Sequence, residues 1–390
     1  MITAVSILAL VASSFGNPLP VSDTLEARQS CIINSLSSVS AAESCGTITI
    51  ESFIVSAGEK LVINAADKAV INMKGNITFT ADTTFKTTGP LFTLSGTGIT
   101  WLELDSHTRY NHLHSGTGIT FNGNGFTIDG QGAKYWDGQG TATSATHAKP
   151  HPMINGTVEN VKVLNSPAQV FSMGNDASLL VSNINIDNSA GNAANSLSGG
   201  KPAAHNTDGF DVSTNDVTIQ DSTIINQDDC IAINKGSNII FQNNHCTGGH
   251  GISIGSVASG STVSGIQITN NTITNNVQAL RIKTDADATS GSVSGVTYKD
   301  NTASGCTDYG VIIDQSYPST LSKNTGAGIK ISGVTFTGTN NIAVASSAKG
   351  EVEVNCAQGG CTGTWDWAGL KVSGGPSGSI VNATITNFKL

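Results

Sequence analysis

Val161-Lys-Val-Leu-Asn165-Ser, Ile184-Asn-Ile-Asp-Asn188-Ser, Val217-Thr-Ile-Gln-Asp221-Ser, Ile239-Ile-Phe-Gln-Asn243-Asn, Ile266-Gln-Ile-Thr-Asn270-Asn and Val296-Thr-Tyr-Lys-Asp300-Asn share one pattern: apolar, any, apolar, any, Asn or Asp, then Ser or Asn. Period-two alternation marks a short half-buried strand, and the polar doublet marks a turn. The first residues of these segments are 23, 33, 22, 27 and 30 positions apart, and a weaker copy begins at Val334. Short strands recurring at this spacing, with loops of variable length between them, predict a solenoid.

A second column lies between the first. Phe210, Ile231, Ile252, Leu280 and Val311 are each followed two residues later by another apolar residue and preceded by a small one: Gly209, Cys230, Gly251, Ala279 and Gly310. Two strand types per repeat predict an all-β fold, a parallel β-helix forming a single domain, with coils stacked ~4.8 Å apart. A sandwich or a propeller would not produce two columns in phase.

The composition agrees. Charged residues are 12% of the 390, against a usual share of about 25%. Glycine contributes 44 residues and the aromatics 5%. Stacked coils place like residues above one another, which disfavours charge and rewards Ile, Val, Thr, Asn and Gly. A coiled coil and a disordered chain are excluded. A net charge of −9 with 19 Lys+Arg offers no basic footprint for nucleic acid. The absence of long apolar runs excludes a multispanning membrane protein.

The second column also carries the chemistry. Two positions before its anchors stand Asp208, Asp229, His250, Gln278 and Tyr309; one position after stand Asp211, Ala232, Ser253, Arg281 and Ile312; three positions after stand Ser213, Asn234, Gly255, Lys283 and Asp314. Stacking therefore gathers Asp208, Asp228, Asp229 and His250 beside Arg281 and Lys283. Crowded carboxylates push one another's proton affinity apart, so one can act as acid while another acts as base, as glycosidic cleavage requires. The two cations suit a sugar that itself carries a carboxylate. His205, next to this set, reads as structural.

Asn206-Thr-Asp-Gly-Phe-Asp211, Gln227-Asp-Asp-Cys230, Gly249-His-Gly-Ile-Ser-Ile-Gly-Ser256 and Arg281-Ile-Lys283, in this order, resemble the four signature segments of polygalacturonases, glycoside hydrolase family 28. The likeness runs from about Cys31 to the C-terminus and is nearest to secreted fungal endo-acting members. It implies a right-handed parallel β-helix and inverting hydrolysis of α-1,4 bonds between galacturonic acid units, without metal or other cofactor, by a monomer whose partner is pectin or polygalacturonate. Asp228 resembles the family's general acid, Asp208 and Asp229 the pair that activates water, and His250 the histidine that supports the acid. Arg281 and Lys283 resemble the carboxylate-binding residues, with Asn206 and Tyr317 near the substrate. Exo-acting and xylogalacturonan-cleaving members share these segments, and calcium-dependent pectate lyases are the rival class.

Ala4 to Ala12 is an apolar stretch too short to span a bilayer and is followed by small residues, which predicts a secretory signal over 1–16 and a short propeptide over 17–28, leaving 29–390 as the catalytic solenoid. Cys31 and Cys45, Cys230 and Cys246, and Cys356 and Cys361 are close in sequence, with Cys306 left over. An extracellular location favours disulfides, whose connectivity the spacing leaves open. Asn76, Asn155, Asn270 and Asn382 head glycosylation sequons. The resemblance leads to the expectation of a further Cys pair near the C-terminus, but none follows Cys361, so the last coil is expected to be less tightly stapled.

Ser95-Gly-Thr-Gly-Ile-Thr100 recurs as Ser115-Gly-Thr-Gly-Ile-Thr120, so 95–114 reads as an insert. It holds His107, His112 and His114. We read it as a surface loop or translated non-coding sequence rather than a metal site.

Overall fold

The computed structural model describes residues 30–85, 90–96, 118–142, 144–146, 149–150, 153–154, 157–174 and 178–390. The proposed signal and propeptide, residues 97–114 of the insert and Asn155 lie outside the described residues.

Every strand pair is parallel, and the chain winds as a right-handed β-helix. Each coil contributes strands to three sheets, visited in turn. Sheet 1 contains Phe171–Met173, Phe210–Ser213, the first part of Ile231–Gln242, Ile252–Val257, Gln278–Asp285 and Tyr309–Tyr317. Sheet 2 contains Leu179–Ser182, Val217–Gln220, the second part of Ile231–Gln242, Ser261–Thr269 and Gly291–Lys299. Sheet 3 has 11 strands, many of only three residues, such as Lys162–Leu164, Asn185–Asp187 and Thr223–Ile225.

The predicted second column is sheet 1. Phe210 pairs with Ile231, Ile231 with Ile252, Ile252 with Leu280 and Leu280 with Val311. All five are buried, and each Ile or Leu so enclosed contributes about 1.5–3 kcal/mol relative to exposure. The positions three after the anchors do not all stack. The register shifts after Val212, so Ser213 faces Lys235 and not Asn234, and a second shift after Ile254 takes Gly255 out of line.

The predicted first column is two columns. Val217, Ile239, Ile266 and Val296 do stack, in sheet 2. Val161 and Ile184 instead lead into sheet 3, where Val163 and Ile186 stack on Ile224. The partner of Val217 on the preceding coil is Leu179. The coil therefore has three faces rather than two. The doublet pattern hid this because an Asn or Asp followed by Ser or Asn ends strands of both sheets.

From Thr157 to Thr302 the corner from sheet 2 to sheet 3 is always two residues: Asn160-Val161, Asn183-Ile184, Asp221-Ser222, Asn243-Asn244, Asn270-Asn271 and Asp300-Asn301. The first of each pair has φ between 52° and 58°, the left-handed region that Asn and Asp tolerate best among residues with a side chain. The second is buried. Ser222 N–H donates to Asn244 Oδ1 (3.0 Å), Asn244 N–H to Asn271 Oδ1 (2.9 Å), Asn271 N–H to Asn301 Oδ1 (3.0 Å) and Asn301 N–H to Asn340 Oδ1 (3.0 Å). Each buried corner amide is thus satisfied by the coil above.

Disulfides join Cys31 to Cys45, Cys230 to Cys246 and Cys356 to Cys361, and Cys306 is a buried free thiol. At the C-terminal end, where no further Cys pair follows, aromatic rings pack instead. Trp367 lies 5.0 Å from Phe336, 6.3 Å from Trp365 and 5.7 Å from Phe388 between ring centroids.

Candidate active site

The site lies where the chain passes from sheet 3 into sheet 1. Asp208, Asp228, Asp229 and His250 all stand just before a sheet 1 strand, so stacking of the strands stacks them too. Gly209 N–H donates to Asp229 O (2.9 Å), and His250 N–H donates to Asp228 O (2.8 Å). Two glycines permit this closeness. A Cβ on Gly249 would sit 2.0 Å from Asp228 O, and one on Gly251, whose φ is +83°, would sit 2.2 Å from Gln278 O.

Asp228 is buried, and both of its oxygens are engaged. His250 Nδ1 is 2.9 Å from Oδ1, which also accepts from Asp229 N–H (2.9 Å). Oδ2 accepts from Asn206 Nδ2 (3.1 Å), and His205 Nδ1 is 3.9 Å away. Burial alone would raise the proton affinity of Asp228, but the His250 hydrogen bond and charge, helped by Lys283 and His205, outweigh it and hold the carboxyl well below the usual range. His250 is shifted the other way. Burial disfavours its charge, yet Asp228 and then Asp229 raise its proton affinity above that of an ordinary histidine. Both shifts favour the charged pair over the neutral one.

Asp229 accepts from Ser253 Oγ (2.6 Å) and from Lys283 Nζ (2.8 Å), with Arg281 Nη2 at 3.8 Å. Lys283 also lies over the Tyr317 ring, 5.4 Å from its centroid. Asp208 is different: its Oδ1 is buried without a partner. Burial first, then the charges of Asp228, Asp211 and Asp229, raise its proton affinity well above the ordinary value. Asp211, one position past Phe210 on the outward face, is pushed up to about 7 by burial and by Asp229 and Asp228.

All eight residues singled out from the sequence are thus in one place. Three more belong with them. Ser253 stands in the outward column one position after the anchors but was given no role. His205, read as structural, faces Asp228. Gln227 braces the cluster: its N–H donates to Thr207 Oγ1 (2.9 Å), its Oε1 accepts from Thr207 Oγ1 (2.9 Å), and its Nε2 donates to Asn188 O (2.8 Å). Ligand atoms of Asp228, Asp229 and His250 lie within 4.8 Å of one another, close enough to hold a cation, but the Lys283 ammonium competes for Asp229.

Four carboxyls, of which Asp208 and Asp211 are raised and Asp228 is lowered in proton affinity, stand with one histidine and two cations on a parallel β-helix, an arrangement suited to acid–base work on an anionic sugar. Residues 45–389 match the family described as Glycosyl hydrolases family 28.

The chain belongs to glycosyl hydrolases family 28.

Among family members, the Endo-polygalacturonase of Sclerotinia sclerotiorum is 39% identical, covering 96% of this chain and 94% of that one. Endopolygalacturonase B of Aspergillus oryzae is 37% identical over 96% and 95%. Endopolygalacturonase I from Stereum purpureum, solved in complex with two galacturonate, superposes with a TM-score of 0.79 at 44% identity, covering 91% of this chain and 98% of that one.

Proposed function

We propose that this family 28 member is an endo-acting polygalacturonase that hydrolyses α-1,4 bonds between galacturonic acid units of polygalacturonate. The observation that carries the reading is the buried Asp228, held between His250 and Asn206, beside a second buried carboxylate that is paired to Lys283. The names of the relatives support the endo mode.

In this reading Asp228 protonates the leaving oxygen. His250, one hydrogen bond away, supplies the proton once an anionic sugar enters and water is excluded, because both changes raise the proton affinity of Asp228. Asp208 and Asp229 receive the attacking water between them, and the unpaired Oδ1 of Asp208 is its acceptor. Arg281 and Lys283 hold the carboxylate of the sugar at the cleavage point, with Tyr317 alongside. Inverting enzymes separate acid and base by about 6.5–9.5 Å. Asp228 and Asp229 offer atoms within 4.8 Å, nearer than that range.

The apolar stretch Ala4 to Ala12 and the three disulfides support secretion, with 1–16 as signal and 17–28 as propeptide. Asn76, Asn270 and Asn382 are exposed, as glycan carriers must be.

Incubation with de-esterified polygalacturonate tests the reading. Viscosity should fall well before many reducing ends are released, with saturated oligomers as products. Unsaturated, ultraviolet-absorbing products would indicate a lyase, and release of monomer alone would indicate an exo-acting enzyme. Proton NMR of the first product anomer tests inversion.

A further inference from the structure

In a chain with so few charges, Asp137 and Lys149 form an ion pair in which both side chains are only 1% exposed. Burying such a pair rarely adds stability over an apolar replacement, so its use must be sought in the geometry it fixes. Asp137 accepts from Gln139 N–H (3.0 Å), Thr146 N–H (2.7 Å) and Thr146 Oγ1 (2.7 Å), while Lys149 also donates to Gly140 O. One carboxylate and one ammonium thereby close the turn that begins at Asp137. The base of the turn is anchored. Trp136 is buried with Ala203 and Ala204, its Nε1 donates to Ser166 O (3.1 Å), and Gly138 N–H donates to Ala203 O (2.8 Å).

The tip of the turn reaches the site. Thr141 N–H donates to Asn206 Oδ1 (3.1 Å), and Asn206 Nδ2 donates to Asp228 Oδ2 (3.1 Å). A side-chain amide has one accepting and one donating end. With Thr141 holding the oxygen, only the nitrogen can face the carboxylate.

We propose that the Asp137–Lys149 pair is a positioning element of the active site, acting through Thr141 and Asn206 to fix the donor on the second oxygen of Asp228. This rests on the reading of Asp228 as the acid. Freed from the turn, Asn206 can rotate. Asp228 then loses a donor to its ionised form, which raises its proton affinity, and loses its orientation.

The test is a double-mutant cycle on the full chain. Lys149→Met should lower kcat about tenfold or more, as misplaced catalytic groups do, and move the alkaline limb of the pH profile upward. Asn206→Ala should do the same. The two together should be no worse than either alone, since both break one connection. Gly140→Ala keeps both charged side chains but places a methyl carbon 2.1 Å from Asn206 Oδ1; it should reproduce the pH shift and replaces Lys149→Met in the cycle if that variant does not fold. Multiplying losses of about 100-fold in the double variant, or an unmoved pH limb with only the melting temperature lowered, overturns the proposal. Asp228→Asn run in parallel separates the two failures: full hydrolysis by it would sink the reading of the acid, whereas the cycle reports the connection between Lys149 and Asn206.

Discussion

At the corner between sheets 2 and 3, Asn244, Asn271 and Asn301 are buried and every one of their polar side-chain atoms has a partner. At the corner that feeds sheet 1 the accounting is open. Among the described residues, all six buried side-chain polar atoms without a partner belong to this corner or its strand: Asn165 Oδ1, Asn188 Nδ2, Asn226 Oδ1, Asp208 Oδ1, Arg281 Nε and Thr284 Oγ1. An unpaired buried polar atom costs about 1–3 kcal/mol. The same kinds of side chain therefore serve closure on one side of the coil and reception on the other. Where the polar inventory is complete the corner is structural; where it is incomplete, the unpaired Oδ1 of Asp208 is the acceptor that the proposed mechanism gives to water.

Substitutions should split along the same line. The largest expected effect is that of Asp228→Asn, which should lower the release of reducing ends from polygalacturonate by about 1,000-fold, within the range for loss of a general acid, with little change in melting temperature. A comparable loss of fold stability would break the division. Next is Lys283→Met. It leaves the Asp229 carboxylate buried with its ammonium gone, and kcat/KM should fall by about 100-fold, as when one partner of a buried, hydrogen-bonded charge pair is truncated. Asn271→Ala should do the opposite of both. Asn244 N–H and Phe241 O lose a partner, destabilising the fold by about 1–3 kcal/mol in denaturant unfolding, while kcat stays at the wild-type value.

The smallest effect is on pH. Asp208 and Asp211 bind protons more tightly folded than unfolded, by burial first and neighbouring charge second. Unfolded, they ionise near pH ~4. Between there and the value of about 7 for Asp211, the folded state holds more protons, so stability falls as pH rises. Asp228, depressed, contributes the other way: its stabilisation is present above ~4 and lost as pH falls further. Melting temperature should thus decline from mildly acid to neutral pH, and Asp211→Asn should flatten that decline. An unaltered slope would place the deficit elsewhere on the corner.

How far these features could be read in advance depended on strand length and loop length. The sheet 1 column was legible because Phe210, Ile231, Ile252, Leu280 and Val311 sit in strands long enough to alternate. Asp208, Asp229, His250, Arg281 and Lys283 followed from that column, with Asp228 as a neighbour, whereas Asn206 and Tyr317 came only from the resemblance. Sheet 3 was not legible: Thr223–Ile225 and its neighbours are three residues long, too short for a period, so their start was merged with the sheet 2 pattern. The register shifts after Val212 and Ile254 leave no mark in composition. His205 was passed over because a lone histidine carries no spacing. Its only signal was position, two residues before Thr207 in the quoted segment. The Asp137–Lys149 pair was silent for a related reason, since its two members approach the site through a turn and not through the stack.

The two-residue corner has a bearing on how such a chain can change in length. Between Ile184 and Asn340 each buried corner N–H donates to the side-chain oxygen of the corner residue on the next coil, so a single added residue at a corner would put that oxygen out of line with its N–H. The corner from sheet 3 to sheet 1 is not held to one length: 226–230 makes the passage on one coil and 188–209 on another. Insertions and deletions are therefore channelled toward the corner that carries Asp208, Asp228, Asp229 and His250. Descendants of this chain can remodel the walls of the cleft by lengthening the turns while inheriting the pitch of the stack unaltered.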